Sequence, residues 1–174
     1  MIVIIYAHPY PSRSRAGRAL IGAIHDLPGI EVRTLYDLYP DFDVDIEAEQ
    51  SALSRADLIV WLHPFYWYSV PGLMKHWFDK VLEQGWAYGE GGNALTGKRC
   101  LWVTTAGGAE VTYCGQGENL RTFPCYTDPI EQTARFCGMQ WEDPLVVFDS
   151  RVIDAAALEE RAAAFRKRIQ GYIT

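Results

Sequence analysis

The chain predicts a doubly wound α/β domain of three α/β/α layers, with a five-stranded parallel sheet of strand order 2-1-3-4-5. Three observations carry this. The runs Ile2–Ala7 and Leu58–Leu62 are apolar on both alternating faces, as interior parallel strands covered on each side require. Strand-like and helix-like stretches alternate five times, with no internal repeat, low-complexity tract or linker. The stretches after the first, third and fourth strands are chemically distinctive. In such a sheet those loops open on one edge, where ligands bind.

Length and charge narrow the possibilities. A chain of 174 residues is expected to form one domain over 1–174, large enough to bury a core. A net charge of -6 argues against nucleic acid as a partner. No apolar run approaches the roughly 20 residues that span a bilayer. The start, Met1 to Tyr6, lacks a basic flank and reads as a buried strand rather than a signal peptide, so a cytoplasmic location is expected. Cys100, Cys114, Cys125 and Cys137 are widely spaced with no C-x-x-C pair, which suits reduced, mostly buried thiols and no zinc site. Asp41, Asp43, Asp45, Glu47 and Glu49 lack the register of a calcium loop and read as the solvated start of a helix, so no metal ligands are expected.

Taken in order, Ile2–Ala7 forms the first strand, and His8-Pro9-Tyr10-Pro11 opens a loop with Ser12, Arg13, Ser14, Arg15 and Gly17. A helix with Leu20, Ile21, Ile24 and Leu27 at helical spacing ends at Pro28-Gly29. Ile30–Leu35 alternates as a strand nearer an edge, Tyr36–Asp45 is an acidic loop, and Ile46–Arg55 is a helix. Leu58–Leu62 is the central strand, stopped by His63-Pro64. Ser69 is placed to cap the next helix, with Pro71 in its first turn. A glycine-rich excursion over Glu83–Lys98 precedes a fourth strand, Cys100–Thr104, and a long loop runs on to Thr127. Asp128-Pro129-Ile130-Glu131 signals a helix start, and Cys137-Gly138 its end. Leu145–Phe148 is a fifth strand, and Asp154 caps a last helix carrying Leu158, Ala162, Phe165, Ile169 and Tyr172 on one face.

Three loops converge on the carboxyl edge of the sheet. The first offers hydroxyls, arginines and a helix N-terminus, a site for a monophosphate. It has neither the Walker spacing nor the dinucleotide fingerprint. The second, Phe65, Tyr66, Trp67 and Tyr68, presents four rings as a flat wall for a planar ligand. The third, Thr105-Ala106-Gly107-Gly108, lets a ligand approach exposed backbone amides. A phosphorylated tricyclic heteroaromatic such as FMN fits the trio.

Ala7-His8-Pro9, Ser14, the run His63 to Pro71, Phe78-Asp79, Gly85 to Gly89 and Thr104 to Gly108 also resemble the flavodoxin-like NAD(P)H:quinone oxidoreductases. Within that family the resemblance is nearest to the ancillary flavoproteins of glutathione-regulated potassium-efflux systems (KefF-type) and to general-stress flavoproteins. It is close from residue 1 to about 113 and loose beyond Cys114. The resemblance implies a homodimer that binds FMN. It assigns His8, Ser14, Arg15, Ala16 and Gly17 to the phosphate side, and Phe65, Tyr66, Trp67 and Tyr68 to the ring. Thr105, Ala106, Gly107 and Gly108 take its polar edge, and Tyr113 the catalytic, substrate-side wall. Gly17 stands where many relatives carry asparagine, Tyr66 replaces a common glutamine, and Asn119 lies near the place of a frequent histidine.

The expected activity is two-electron reduction of a quinone by NADH or NADPH through FMN. The alternative is a regulatory subunit of a glutathione-gated potassium-efflux transporter, peripheral to the inner membrane through that partner. A one-electron carrier is disfavoured, because the aromatic wall and the long loop suit a substrate pocket. His63 is read as structural, and no G-x-S-x-G elbow supports hydrolysis. Trp77, Phe78, Val81 and Leu82, with Gly85–Gly92, form the expected dimer surface.

Overall fold

The computed structural model describes residues 1–173. Five parallel strands, β1 (Ile2–Tyr6), β2 (Ile30–Thr34), β3 (Leu58–Pro64), β4 (Arg99–Thr105) and β5 (Gln140–Val147), lie in the order β2-β1-β3-β4-β5. The helices are α1 (Arg15–Gly22), α2 (Leu35–Leu38), α3 (Ile46–Arg55), α4 (Gly72–Val81), α5 (Pro124–Phe136) and α6 (Ala155–Gln170). Short 3-10 turns occupy Pro11–Arg13 and Glu110–Thr112. The doubly wound topology is the one expected.

Side-chain alternation explains why β1 and β3 are apolar throughout. Val3, Ile5, Ile59, Trp61 and Trp102 enter the core shared with α3, α4 and α5. Ile2, Ile4, Tyr6, Val60, Leu62 and Val103 enter the opposite core, closed by α1 and α6. Each residue of β1 and β3 therefore meets a helix on one side or the other, which is why these strands are almost wholly apolar; Tyr6 Oη and Trp61 Nε1 are the buried side-chain polar atoms left without a partner among the described residues.

Local signals placed several boundaries well. Asp45 caps α3 through Ala48 N at 2.9 Å, and Asp154 caps α6 through Ala157 N at 2.8 Å. Gly138, at φ +76, takes the left-handed position just after α5.

Other boundaries differ, each for a tertiary reason. His63 and Pro64 continue β3 instead of ending it. Phe65 N donates to Thr105 O at 2.9 Å, and Ala7 N to Leu62 O at 2.9 Å, so the nitrogen of Pro64 faces the β1 side. There β1 has already ended, and the missing N–H forfeits no ladder bond. Ser69 caps no helix: α4 starts at Gly72 behind Pro71, and Ser69 closes a turn with Tyr66. Leu35 leaves β2 to begin the short α2, where it is fully buried. Helix α5 starts at Pro124, four residues before the Asp128 signal, and carries Pro129 in its interior. β5 begins at Gln140, with Asp143 and Pro144 at a register shift opposite Trp102. An edge strand tolerates such a bulge.

Three further expectations are corrected. Glu49 is fully buried, not solvated; it accepts from Trp77 Nε1 at 2.9 Å, Tyr39 Oη at 2.6 Å and Arg33 Nε at 2.7 Å. Trp77 and Val81 belong to the chain's own core and present no surface; Phe78 and Leu82 are mostly buried at the floor of a groove between α4 and α5. Only two of the four thiols, Cys100 and Cys137, are buried, while Cys114 and Cys125 are exposed.

Candidate functional site

Beyond the carboxyl ends of the strands lies a cavity of about 560 Å³. Four loops build it. The loop after β1 contributes His8, Tyr10, Arg13, Ser14, Arg15 and Ala16. The end of β3 contributes Pro64, Phe65 and Tyr66, and the end of β4 Thr105 and Gly107. The loop after β5 contributes Ser150 and Arg151.

At the β1 end, α1 points its first turn at the cavity, and first-turn amides have no intrahelical acceptor. Ser14 precedes them, and its side chain caps no amide. The Tyr6 hydroxyl is buried beside Ser14 Oγ but forms no hydrogen bond of good geometry with any described residue; burial raises its pKa, the Ser14 hydroxyl offsets this in part, and it stays protonated. A Cβ at Gly17 would stand 2.5 Å from Ser14 Oγ and 2.6 Å from Tyr6 Oη. Glycine is therefore required there: the two hydroxyls converge over the space that a side chain would fill. Orphan amides with two uncapped hydroxyls form a donor set suited to a phosphate.

His8 is lowered from its ordinary pKa by burial and stays neutral. Its Nδ1 accepts from Tyr10 N at 3.0 Å, which leaves Nε2 as the ring's N–H donor. Arg15 donates to the carbonyl of Ile153, tying the β1 loop to the β5 loop. Arg13 lies over the Tyr10 ring, 5.6 Å from its centre.

The second loop is not a flat wall. Tyr66 and Ser69 pair through Tyr66 N to Ser69 O at 3.1 Å and Ser69 N to Tyr66 O at 3.0 Å. The two residues between them, Trp67 and Tyr68, take left-handed φ of +48 and +61, the geometry of the tightest hairpin turns. The turn throws Trp67 into solvent, 92% exposed, and lays Tyr68 against Tyr126 with ring centres 5.2 Å apart. Only Phe65 and Tyr66 of the four rings line the cavity.

Behind this loop, His63 is wholly buried and neutral, its pKa lowered to about 4 by burial. Trp102 Nε1 donates to His63 Nε2 at 2.8 Å, so Nδ1 carries the hydrogen and donates to Pro64 O at 2.9 Å. That carbonyl belongs to a residue lining the cavity.

Of the residues the sequence nominated, the structure brings His8, Ser14, Arg15, Ala16, Phe65, Tyr66, Thr105 and Gly107 together at one cavity. Gly17 lies beneath it, under the two hydroxyls. Ala106 is fully buried, its amide donated to Val147 O at 2.8 Å. Trp67 and Tyr68 turn away. Gly108 faces Tyr113, whose hydroxyl is 3.5 Å from the place of a Cβ there. The Tyr113 ring packs on Phe123 at 5.0 Å and Phe148 at 5.6 Å, beside the cavity and not on its wall. Arg13, counted with Arg15 among the basic residues of the first loop, also lines the cavity, whereas Tyr10, Pro64, Ser150 and Arg151 are additions from the structure. For Ser150 and Arg151 a signal existed: they directly follow the fifth strand, which ends on the same edge of the sheet as the other three.

Fold and site together define a flavodoxin-like α/β protein whose cavity at the carboxyl edge joins helix amides, hydroxyls and arginines to a short aromatic wall. The chain belongs to the Flavodoxin_2 family, described by its flavodoxin-like fold, which matches residues 1–169 and so extends well past Cys114. It is 46% identical over 169 residues to the glutathione-regulated potassium-efflux system ancillary protein KefF of Klebsiella aerogenes, covering 97% of this chain and 94% of that one. Among solved structures it is similar to general stress protein 14 of Treponema denticola in complex with FMN. That match has 31% identity and a TM-score of 0.91 and covers 98% of each chain. A chain from Streptomycin violaceusniger described as a thermophilic tryptophan halogenase superposes at a TM-score of 0.92 with 36% identity, over 96% of this chain and 97% of that one. An NADPH-quinone reductase of P. pentosaceus does so at 0.88 with 27% identity, over 97% and 96%.

Proposed function

We propose that this protein is an FMN-dependent oxidoreductase, one FMN-binding domain that reduces quinones by two electrons at the expense of NADH or NADPH. The observation that carries the reading is the cavity itself, with orphan helix amides, two hydroxyls and arginines at one end and Phe65, Tyr66 and Gly107 at the other. The FMN bound to the Treponema relative and the quinone reductase from P. pentosaceus support it.

Bound FMN would supply the chemistry, accepting hydride from the nicotinamide and passing it to the quinone. The α1 amides, Ser14 and Tyr6 would hold its phosphate. Phe65 and Tyr66 would face the ring, and Gly107, lacking a side chain, would let the β4 backbone approach it closely. Tyr113, its pKa raised by burial, would keep a neutral hydroxyl beside Gly108 as a hydrogen-bond donor at the substrate side. His63 would hold the Pro64 carbonyl in place through its fixed tautomer.

An absorption spectrum of the purified protein with flavin bands, followed by anaerobic stopped-flow bleaching with NADH or NADPH and recovery on quinone addition, is the expected result. A colourless protein that FMN neither binds nor reconstitutes overturns the reading.

The KefF relative favours a second, compatible role as an ancillary subunit of a potassium-efflux transporter. No helix among the described residues is long and apolar enough to cross a membrane. In this role the chain would be cytoplasmic and peripheral to the inner membrane through its partner. Potassium efflux from vesicles holding such a transporter should rise on addition of this protein; unchanged efflux removes the second role. We also propose a homodimer, formed across the groove where Phe78, Leu82 and Tyr88 meet the exposed Phe136.

A further inference from the structure

We propose that Arg151 is a further cofactor-contacting residue: its guanidinium meets the negative charge that reduction brings to the ring side of the site and raises the midpoint potential of the bound flavin. The inference rests on the FMN reading above and deepens it.

The loop between β5 and α6 is stitched to the β4 loop. Ala106 N donates to Val147 O at 2.8 Å, Ser150 N to Ala106 O at 2.9 Å, and Asp149 N to Gly108 O at 3.1 Å. Asp149 takes a left-handed φ of +54, a conformation uncommon for a non-glycine residue that persists where the surroundings enforce it. Its carbonyl accepts from both Val152 N at 2.8 Å and Ile153 N at 2.7 Å, and Arg15 clamps the Ile153 carbonyl from the other side of the cavity. The backbone on either side of Arg151 is thus fixed to both neighbouring loops.

From there Arg151 reaches over Gly107. Its Nε, Cδ and Cζ lie 3.5, 3.8 and 3.9 Å from the place where a Cβ on Gly107 would stand. Glycine at 107 makes room for this cation as well as for a ligand. Arg33, Arg55, Arg99, Arg135, Arg166 and Arg168 each pair with a carboxylate. Arg151 shares no ion pair or hydrogen bond with any described residue, although Asp149 is two positions away. Of the other arginines on the cavity, Arg15 is spent on Ile153 and Arg13 lies over Tyr10. Arg151 is therefore a free cation on the cavity wall in a chain of net charge -6.

Its contact with Gly107 assigns it to the ring side. The phosphate donors are the α1 amides, Ser14 and Tyr6, whereas Arg151 packs on the β4 strip. A hydride carries two electrons and one proton, so the ring that receives it gains one negative charge. A guanidinium beside that strip, with water displaced by the ligand, binds the reduced cofactor more tightly than the oxidised one.

The test is FMN titration into flavin-stripped protein, followed by anaerobic redox titration of the reconstituted protein. The proteins are wild type, Arg151→Gln, Arg151→Lys and, as an equal change of charge outside the cavity, Arg161→Gln. Arg151→Gln should bind oxidised FMN slightly more weakly and the reduced form about tenfold more weakly still, lowering the midpoint potential by about 30 mV for a two-electron couple. Arg151→Lys should recover most of the potential, and Arg161→Gln should match wild type. A potential for Arg151→Gln equal to wild type overturns the inference. So does equal weakening of both redox forms, which would place the guanidinium at the phosphate. Wild-type protein that takes up no FMN is a separate result and overturns the function on which the inference rests.

Discussion

Trp102 Nε1 donates to His63 Nε2 at 2.8 Å inside the core, and that one bond sets the tautomer of a buried histidine. The indole sits on β4 and the imidazole on β3, offset by two residues in the parallel ladder, where Trp102 lies opposite Trp61 and His63 opposite Thr104. Their contact converts the buried Trp102 N–H, otherwise an unsatisfied donor, into the support of the Pro64 carbonyl at the cavity.

The same burial makes stability depend on pH. His63 is held near pKa 4 when folded and titrates near 6.5 when unfolded. Between those values the unfolded chain binds the extra proton, so stability is full above about pH 6.5 and falls as pH is lowered towards 4, by about 3 kcal/mol in all. Urea unfolding from about pH 7 to about pH 4.5 should show this slope in wild type and a flatter one in His63→Asn. Equal slopes would remove His63 as the titrating group.

Gly17→Ala should damage the anion socket. The new Cβ would overlap Ser14 Oγ and Tyr6 Oη, neither of which is at the end of a flexible chain. We expect a loss of about 1–3 kcal/mol in stability from overpacking, together with FMN binding weakened at least about tenfold. Thermal melts and flavin-fluorescence titration measure the two effects separately.

Glu49→Gln should be among the most destabilising single-atom changes in the chain. It leaves Arg33, drawn to Glu49 within the buried network, short of one counter-charge, and forces a neutral amide against Tyr39 and Trp77. A cost of about 3 kcal/mol is expected in chemical denaturation, with little change in FMN affinity, since the network lies away from the cavity.

Phe136→Glu tests the dimer. Phe136 is 63% exposed beside Tyr88, with ring centres 5.0 Å apart, at the mouth of the groove between α4 and α5. A charge there should convert a dimer to a monomer in light scattering while leaving the melting temperature of the fold nearly unchanged. A variant that remains dimeric moves the interface elsewhere.

Much of this architecture was legible in adjacent residues. The apolar runs of β1 and β3, the caps Asp45 and Asp154, and the glycine after α5 are local patterns, and local patterns set element type and order. The order of strands and the edge that carries the site follow from them. That Trp67 and Tyr68 stand off the cavity wall was not legible, because composition shows that rings are present but not the hand of the turn that aims them. Glu49 read as solvated because its partners Arg33 and Trp77 are far off in the chain, and only the folded core brings them to it. Arg151 and Ser150 went unseen for a related reason: a loop's chemistry is local, but its place beside Gly107 comes from hydrogen bonds between the ends of two neighbouring strands. Periodicity along the chain decided what each segment is, and packing between segments decided what each side chain faces.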